Sequence, residues 1–197
     1  AVNSATSALH IACMALGVQP GDKVWTSPIT FVASANCARY CGADVEFVDI
    51  DPRTYNMSPS CLEAKLVAAQ RTGSLPKVVI PVHLSGQSCD MAAIHELAKK
   101  YSFSIIEDAS HAVGGTYRGE PVGNCRFSDI TVFSFHPVKI ITTGEGGMAL
   151  TNDKYLSNSM ARLRTHGITR EVAQMQGAPT GPWYYEQLDL GYNYRLT

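Results

Sequence analysis

The sequence predicts an α/β protein built on a mainly parallel sheet. Two observations carry this. Segments with helical apolar spacing alternate with short apolar runs from Ser4 to His166, the pattern of strands joined by helical crossovers. The composition, 45% hydrophobic and 17% charged over 197 residues, suffices for one sizeable core. No internal repeat or low-complexity segment breaks it. In such sheets the crossovers are right-handed, and ligands bind beyond the carboxyl ends of the strands.

Taken in order, Ser4 to Gly17 reads as a helix, capped by Ser4 or Thr6, with Leu9, Cys13 and Leu16 on one face. After the turn Pro20-Gly21-Asp22, Lys23 to Ser27 is a strand ended by Pro28. Phe31 to Cys41 is a helix closed by Gly42. Val45 to Val48 reads as a buried strand, followed by a loop at Asp49–Pro52. Pro59 to Gln70 is a helix, Lys77 to Val82 a strand, and Met91 to Tyr101 a helix with Asp90 as N-cap. Phe103 to Ile106 is a strand ending at Glu107-Asp108; Ile130 to Phe135 and Gly147 to Thr151 are two more. A helix spans Asp153 to His166, capped by Asn152 or Asp153. The pattern then fades between Gly167 and Leu190, and Gly167–Trp183 is the expected mobile loop.

The net charge of −1 gives no electrostatic case for nucleic acid or an anionic membrane surface. No apolar run approaches the ~20 residues that span a bilayer, and no signal-peptide pattern opens the chain. The six cysteines sit mostly in apolar helix or strand patterns, which points to free thiols and a cytoplasmic protein. The sequon Asn56-Met57-Ser58 is then incidental. The chain opens without methionine and stops at Arg195-Leu196-Thr197 without a closing element, so it is expected to be a piece of a longer protein.

The strand-end rule selects the loops at Thr26–Thr30, Asp49–Asp51, His83–Gln87, Asp108–His111 and His136–Lys139. Lys139 follows a buried strand with little local carboxylate to pair it. It is either a chemical amine or a loop lysine with a packed stem. Asp108, at another strand end, suits a cationic ring nitrogen or the cap of the next turn. Glu107 should face the other way. His111 follows Asp108 by three residues and either bonds a phenolic oxygen or is structural. Asn3-Ser4-Ala5-Thr6-Ser7 places small residues and hydroxyls at a helix N-terminus, which suits an anion or an ordinary cap. Phe31 is a plate for a flat cofactor or a core aromatic. Ser134 points into the cleft as a phosphate ligand or bonds neighbouring backbone. His83, Cys89 and His95 match no zinc spacing, so no metal is expected. The absence of GxxxxGK[ST], and of GxGxxG after a strand, removes the main support for nucleoside triphosphate or NAD.

An amine, an acid at a neighbouring strand end, an anion-binding helix terminus and an aromatic plate are together what pyridoxal phosphate needs. The segments N-S-A-T-S-A-L at 3–9, T-F-V-A-S-A-N at 30–36, F-V-D-I-D at 47–51 and P-V-H-L-S-G-Q at 81–87 are in addition those of a known family. I-E-D-A-S-H at 106–111, F-S-F-H-P-V-K at 133–139, G-E-G-G-M at 144–148 and L-G-Y-N-Y-R-L-T at 190–197 complete the set. The chain resembles the large domain of the DegT/StrS-type nucleotide-sugar aminotransferases, enzymes of fold type I.

The resemblance implies a three-layer α/β/α domain binding pyridoxal 5'-phosphate, with the N-terminal arm and the small C-terminal domain of such enzymes absent. It makes Lys139 the catalytic lysine that carries the cofactor covalently and Asp108 the partner of the ring nitrogen. Thr6, Ser7 and Ser134 become the phosphate grip, and Phe31 the stacking ring. His111 falls where many members have glutamine, near the phenolic oxygen. Asn193 matches a residue that reaches the neighbouring subunit's cofactor, implying a homodimer with shared sites. The run F-H-P-V-K-I-I-T-T-G-E-G-G is most similar to the C4-aminotransferases of the pseudaminic acid route. Those use glutamate and a UDP-linked 4-keto-6-deoxy-N-acetyl hexose; sister enzymes aminate C3 or C4 of other UDP-, GDP- or dTDP-keto sugars. Dehydratase relatives carry histidine where this chain has Lys139.

Overall fold

The structure, a computed structural model, describes residues 1–196; Thr197, last in the C-terminal motif, lies outside them. Helix α1 (Ala5–Ala15) starts at Ser4, whose Oγ accepts from the Ser7 amide at 3.1 Å, an N-cap that occupies a donor the helix cannot pair. Strand β1 (Lys23–Thr26), helix α2 (Ala33–Tyr40) and strand β2 (Asp44–Phe47) follow. Helix α3 (Pro59–Thr72) is capped by Ser58 and ends on Gly73 at φ +65°, the left-handed conformation glycine adopts without strain. Strand β3 (Val78–Ile80) leads through a short 3₁₀ turn at Leu84–Gly86 to α4 (Met91–Tyr101), capped by Asp90 as expected.

Next come β4 (Ser104–Asp108), a small hairpin of β5 (Thr116–Tyr117) and β6 (Glu120–Pro121), then β7 (Ile130–Ser134) and β8 (Gly147–Leu150). Helix α5 (Lys154–Leu163) starts at Asp153, whose Oδ1 accepts from the Tyr155 and Leu156 amides. The expected loop after it contains a second antiparallel hairpin, β9 (Ile168–Thr169) with β10 (Glu186–Gln187). These four two-residue strands are too short to carry a legible alternation.

The main sheet has six strands in the order β2-β1-β3-β4-β7-β8. All neighbours are parallel except β7 and β8, which run antiparallel. Alternation along the strands feeds two cores, since side chains two apart share a face. Val24, Val78, Ile80, Ile106 and Ile130 pack with Leu9, Cys37, Leu156 and Met160 from α1, α2 and α5. Trp25, Val79 and Ile105 pack with Leu62, Leu66, Ile94 and Leu97 from α3 and α4. The result is a three-layer α/β/α sandwich with a mainly parallel centre. One expectation needs correction: β2 is an edge strand, not a buried one, and Phe47 is 52% exposed. Pairing on one side only leaves its other edge to solvent, and a short apolar run does not reveal its rank in the sheet.

All six cysteines are free. Asn56 of the sequon is buried, its Nδ2 donating to the Gln87 carbonyl at 3.0 Å. Among the described residues no helix is long and apolar enough to cross a membrane.

Candidate active site

The carboxyl ends of the parallel strands open into a cleft of about 330 Å³. The loops after β1, β4 and β7 and the N-terminus of α1 supply its walls, as the strand-end rule anticipates. Thr6, Phe31, Asp108, His111, Ser134 and Lys139 all line it.

Asp108 ends β4 and is 4% exposed. A carboxylate this buried needs donors for its lone pairs. Ser34 Oγ donates to Oδ2 at 2.6 Å and the Ser110 amide to Oδ1 at 3.1 Å. Thr30 Oγ1 lies 2.9 Å from Ser34 Oγ and extends the chain. Ser34 was not singled out from the sequence. Thr30 lies in the loop before α2 and Ser34 in that helix's first turn; the available signal was a hydroxyl residue just beyond a strand end. Glu107 faces the opposite side of the sheet, paired with His83 at 2.7 Å.

His111 Nδ1 accepts from the Ser85 amide at 3.3 Å. With that nitrogen an acceptor, the ring proton is assigned to Nε2, a neutral donor. Burial and the charge of Lys139 both lower the His111 pKa, against a smaller upward pull from Asp108.

Lys139 lies in the loop between β7 and β8, its amide donating to the His136 carbonyl at 2.9 Å. Among the described residues its Nζ makes no hydrogen bond or ion pair. A carboxylate is nevertheless near: Glu145 lines the same cleft but sits 3.7 Å from His136 Nε2. Phe31 is 70% exposed over the cleft rather than in the core. Ser134 Oγ faces the cleft and accepts from the His136 amide at 3.4 Å.

The N-terminus of α1 reaches this cleft because β8 holds it there. Val2 and Gly147 exchange backbone hydrogen bonds of 2.8 and 2.9 Å. A Cβ on Gly147 would stand 2.5 Å from Ala5 N and Ser4 C, so only glycine permits the approach. Ser4, Ala5 and Thr6 form the wall. Ser7 does not: its amide is engaged by Ser4 Oγ, and its own Oγ donates to Asn3 Oδ1 at 2.6 Å. The Ala5 and Thr6 amides have no acceptor among the described residues. They form the anion-binding end of the helix. Asn193 is exposed, bridged to Thr165, and apart from the cleft wall of its own chain.

The sequence model of the DegT/DnrJ/EryC1/StrS aminotransferase family matches residues 1–197. The chain belongs to this aminotransferase family. It is 44% identical over 197 residues to the GDP-perosamine synthase of Caulobacter vibrioides, covering 100% of this chain and 48% of that protein. It is 43% identical over 196 residues to the UDP-4-amino-4,6-dideoxy-N-acetyl-beta-L-altrosamine transaminase of Campylobacter jejuni, again covering 100% and 48%. Among solved structures, Helicobacter pylori PseC, an aminotransferase of pseudoaminic acid biosynthesis, superposes with TM-score 0.85 at 33% identity, over 99% of this chain and 48% of that one. A putative sugar aminotransferase of Streptococcus pneumoniae in its PLP form gives TM-score 0.81 at 31% identity, over 100% and 50%. The chain thus spans about half the length of the curated relatives it matches.

The family's cofactor chemistry fits the donors present. Two unpaired amides, the Thr6 and Ser134 hydroxyls and a helix terminus suit a phosphate. Asp108, with donors already on both oxygens, suits a cationic ring nitrogen. His111 offers an N–H to an oxygen anion.

Proposed function

We propose that the full-length protein is a pyridoxal-phosphate-dependent aminotransferase. It moves an amino group from glutamate to C4 of a UDP-linked 4-keto-6-deoxy-N-acetyl hexose, for amino-sugar biosynthesis of the pseudaminic acid type. One observation carries the aminotransferase reading: among the described residues the amine of Lys139 has no partner, and it shares its cleft with Asp108 and His111.

Bound pyridoxal phosphate supplies an electron sink that acidifies the carbon bearing the donor's amino group. Lys139 Nζ takes the proton from that carbon and returns it as general base and acid. Asp108 would keep the ring nitrogen protonated, and Ser34 and Ser110 hold Asp108 in place. His111 would offer its Nε2–H to the phenolic oxygen. Ala5, Thr6 and Ser134 would hold the phosphate, and Phe31 would stack on the ring. A lysine at position 139 favours amino transfer over sugar dehydration.

We further propose that this chain is the cofactor-binding half of each subunit of a cytoplasmic homodimer, completed by an N-terminal arm and a small C-terminal domain. Asn193, outside its own cleft, would reach the neighbouring subunit's phosphate. The UDP sugar is supported by the similarity to the Campylobacter jejuni transaminase. A GDP-linked keto sugar is the second reading, favoured by the comparable similarity, 44% against 43% identity, to a GDP-perosamine synthase.

The test uses the full-length protein with glutamate, following 2-oxoglutarate as each keto sugar nucleotide is added. Turnover with the UDP 4-keto sugar is expected. Turnover with the GDP sugar alone selects the second reading, and no response to any 4-keto sugar nucleotide ends both. Lys139→Ala should lose turnover and the borohydride-fixed label on its peptide, yet still bind cofactor through the separate phosphate grip. Wild-type activity in that variant would overturn the role of Lys139.

A further inference from the structure

Directly behind Asp108, on the face of β4 away from the cleft, lies a buried polar network that the reaction does not touch. His83 is 0% exposed and Glu107 5%. His83 Nε2 donates to Glu107 Oε2 at 2.7 Å. Glu107 Oε1 accepts from Thr131 Oγ1 at 3.1 Å and from Ser128 Oγ. His83 Nδ1 accepts from the Cys89 amide at 3.2 Å, so its proton is assigned to Nε2. Burial pushes the Glu107 carboxyl up, but the bond from His83 and those from Ser128 and Thr131 outweigh it, and the net displacement is downward.

Stability alone does not account for such a pair. An apolar pair of similar volume at a buried ionic site is often as stable or more so. What the pair supplies is fixed geometry in two directions. The His83 amide donates to the Asp108 carbonyl at 3.0 Å, and the Asp108 amide to the Pro81 carbonyl at 2.9 Å. One residue is therefore bonded to two consecutive residues of β4, through its backbone to Asp108 and through its ring to Glu107. This pins the height and rotation of the strand end that presents Asp108. His83 also opens the turn Leu84–Gly86. Ser85 stands at φ +54° in that turn, and its amide selects the acceptor nitrogen of His111. Such a left-handed serine persists only where its surroundings hold it.

We propose that the His83–Glu107 pair is a positioning device, setting Asp108 and His111 from the opposite side of the sheet. The proposal rests on the aminotransferase reading of the cleft. Neither residue touches cofactor or substrate. Both act through groups that do.

The experiment compares the full-length, cofactor-loaded wild type with the double variant His83→Leu/Glu107→Leu and with His83→Gln and His83→Leu alone. Thermal midpoint, kcat, KM for glutamate and the pH midpoint of the cofactor's visible absorbance are measured. The double variant should remain folded with KM little changed. Its kcat should fall about tenfold, the scale of lost outer-layer orientation, and its absorbance midpoint should move. His83→Gln, whose amide can both donate to Glu107 and accept from Cys89, should restore most of what His83→Leu loses. That single-residue contrast decides the matter should the double variant fail to fold. Activity falling only with the folded fraction, at an unmoved midpoint and without rescue by glutamine, would overturn the positioning role. Wild-type protein that neither binds the cofactor nor turns over glutamate would overturn the aminotransferase reading with it.

Discussion

At the scale of single residues, the site depends on what surrounds each ionisable group. Asp108 is held by Ser34 from α2 and by a backbone amide from its own loop. Ser34→Ala leaves one oxygen of a buried carboxylate without that donor. It should lower stability by about 1–2 kcal/mol in chemical denaturation and weaken cofactor binding, with kcat falling more than the KM for glutamate rises. His10 and His111 both have pKa values lowered from 6.5, burial being the leading cause for each. The unfolded chain therefore binds protons more readily than the folded one below pH 6.5. Their contribution is neutral above that pH and becomes destabilising as pH falls from 6.5 through the lowered folded values. Glu107, lowered from 4.5, contributes stability above pH 4.5 that is lost as pH falls through its folded value. Denaturant midpoints measured against pH should show both windows. His10→Asn should flatten the upper one; an unchanged slope would remove His10 as its source.

At the scale of elements, the decisive contact joins α1 to the start of β8. The glycine at 147 lets the strand backbone pass against Ser4 and Ala5, which delivers the amides of the first helical turn to the cleft. Gly147→Ala puts a methyl group into that backbone contact. The expected result is a loss of about 1–3 kcal/mol by denaturation, together with weaker phosphate binding by the full-length protein. Unaltered phosphate affinity would show that the helix terminus is not the anion site. The antiparallel β7–β8 pair matters equally, because its connecting loop carries Lys139 back over the strand end that holds Ser134.

At the scale of the whole molecule, the cleft is walled by residues far apart in sequence, and Asn193 stands outside it. If each site takes Asn193 from a second subunit, Lys139→Ala and Asn193→Ala full-length chains complement one another. A mixed dimer then contains one site with both residues intact. Activity on mixing should rise well above either parent after subunit exchange. Mixing that merely averages the parents would remove the shared-site reading.

The sequence by itself determined the α/β class with a mainly parallel sheet and most elements. Helical and strand periodicities differ, and caps such as Asp90 and Asp153 are written in local residue type. It also identified Lys139, Asp108, His111, Ser134, Phe31 and Thr6 as candidates, because parallel sheets gather chemistry at strand ends and the motifs are dense there. Tertiary structure alone decided the edge rank of β2, which depends on who pairs with whom. It alone joined Ser34 to Asp108 across 74 residues, and His83 to Glu107 through the sheet. It alone showed that Ser7 turns into its cap while Ala5 and Thr6 face the cleft. Local pattern records a residue's periodicity and chemistry; which donor meets which acceptor is set by packing between segments that the sequence keeps apart.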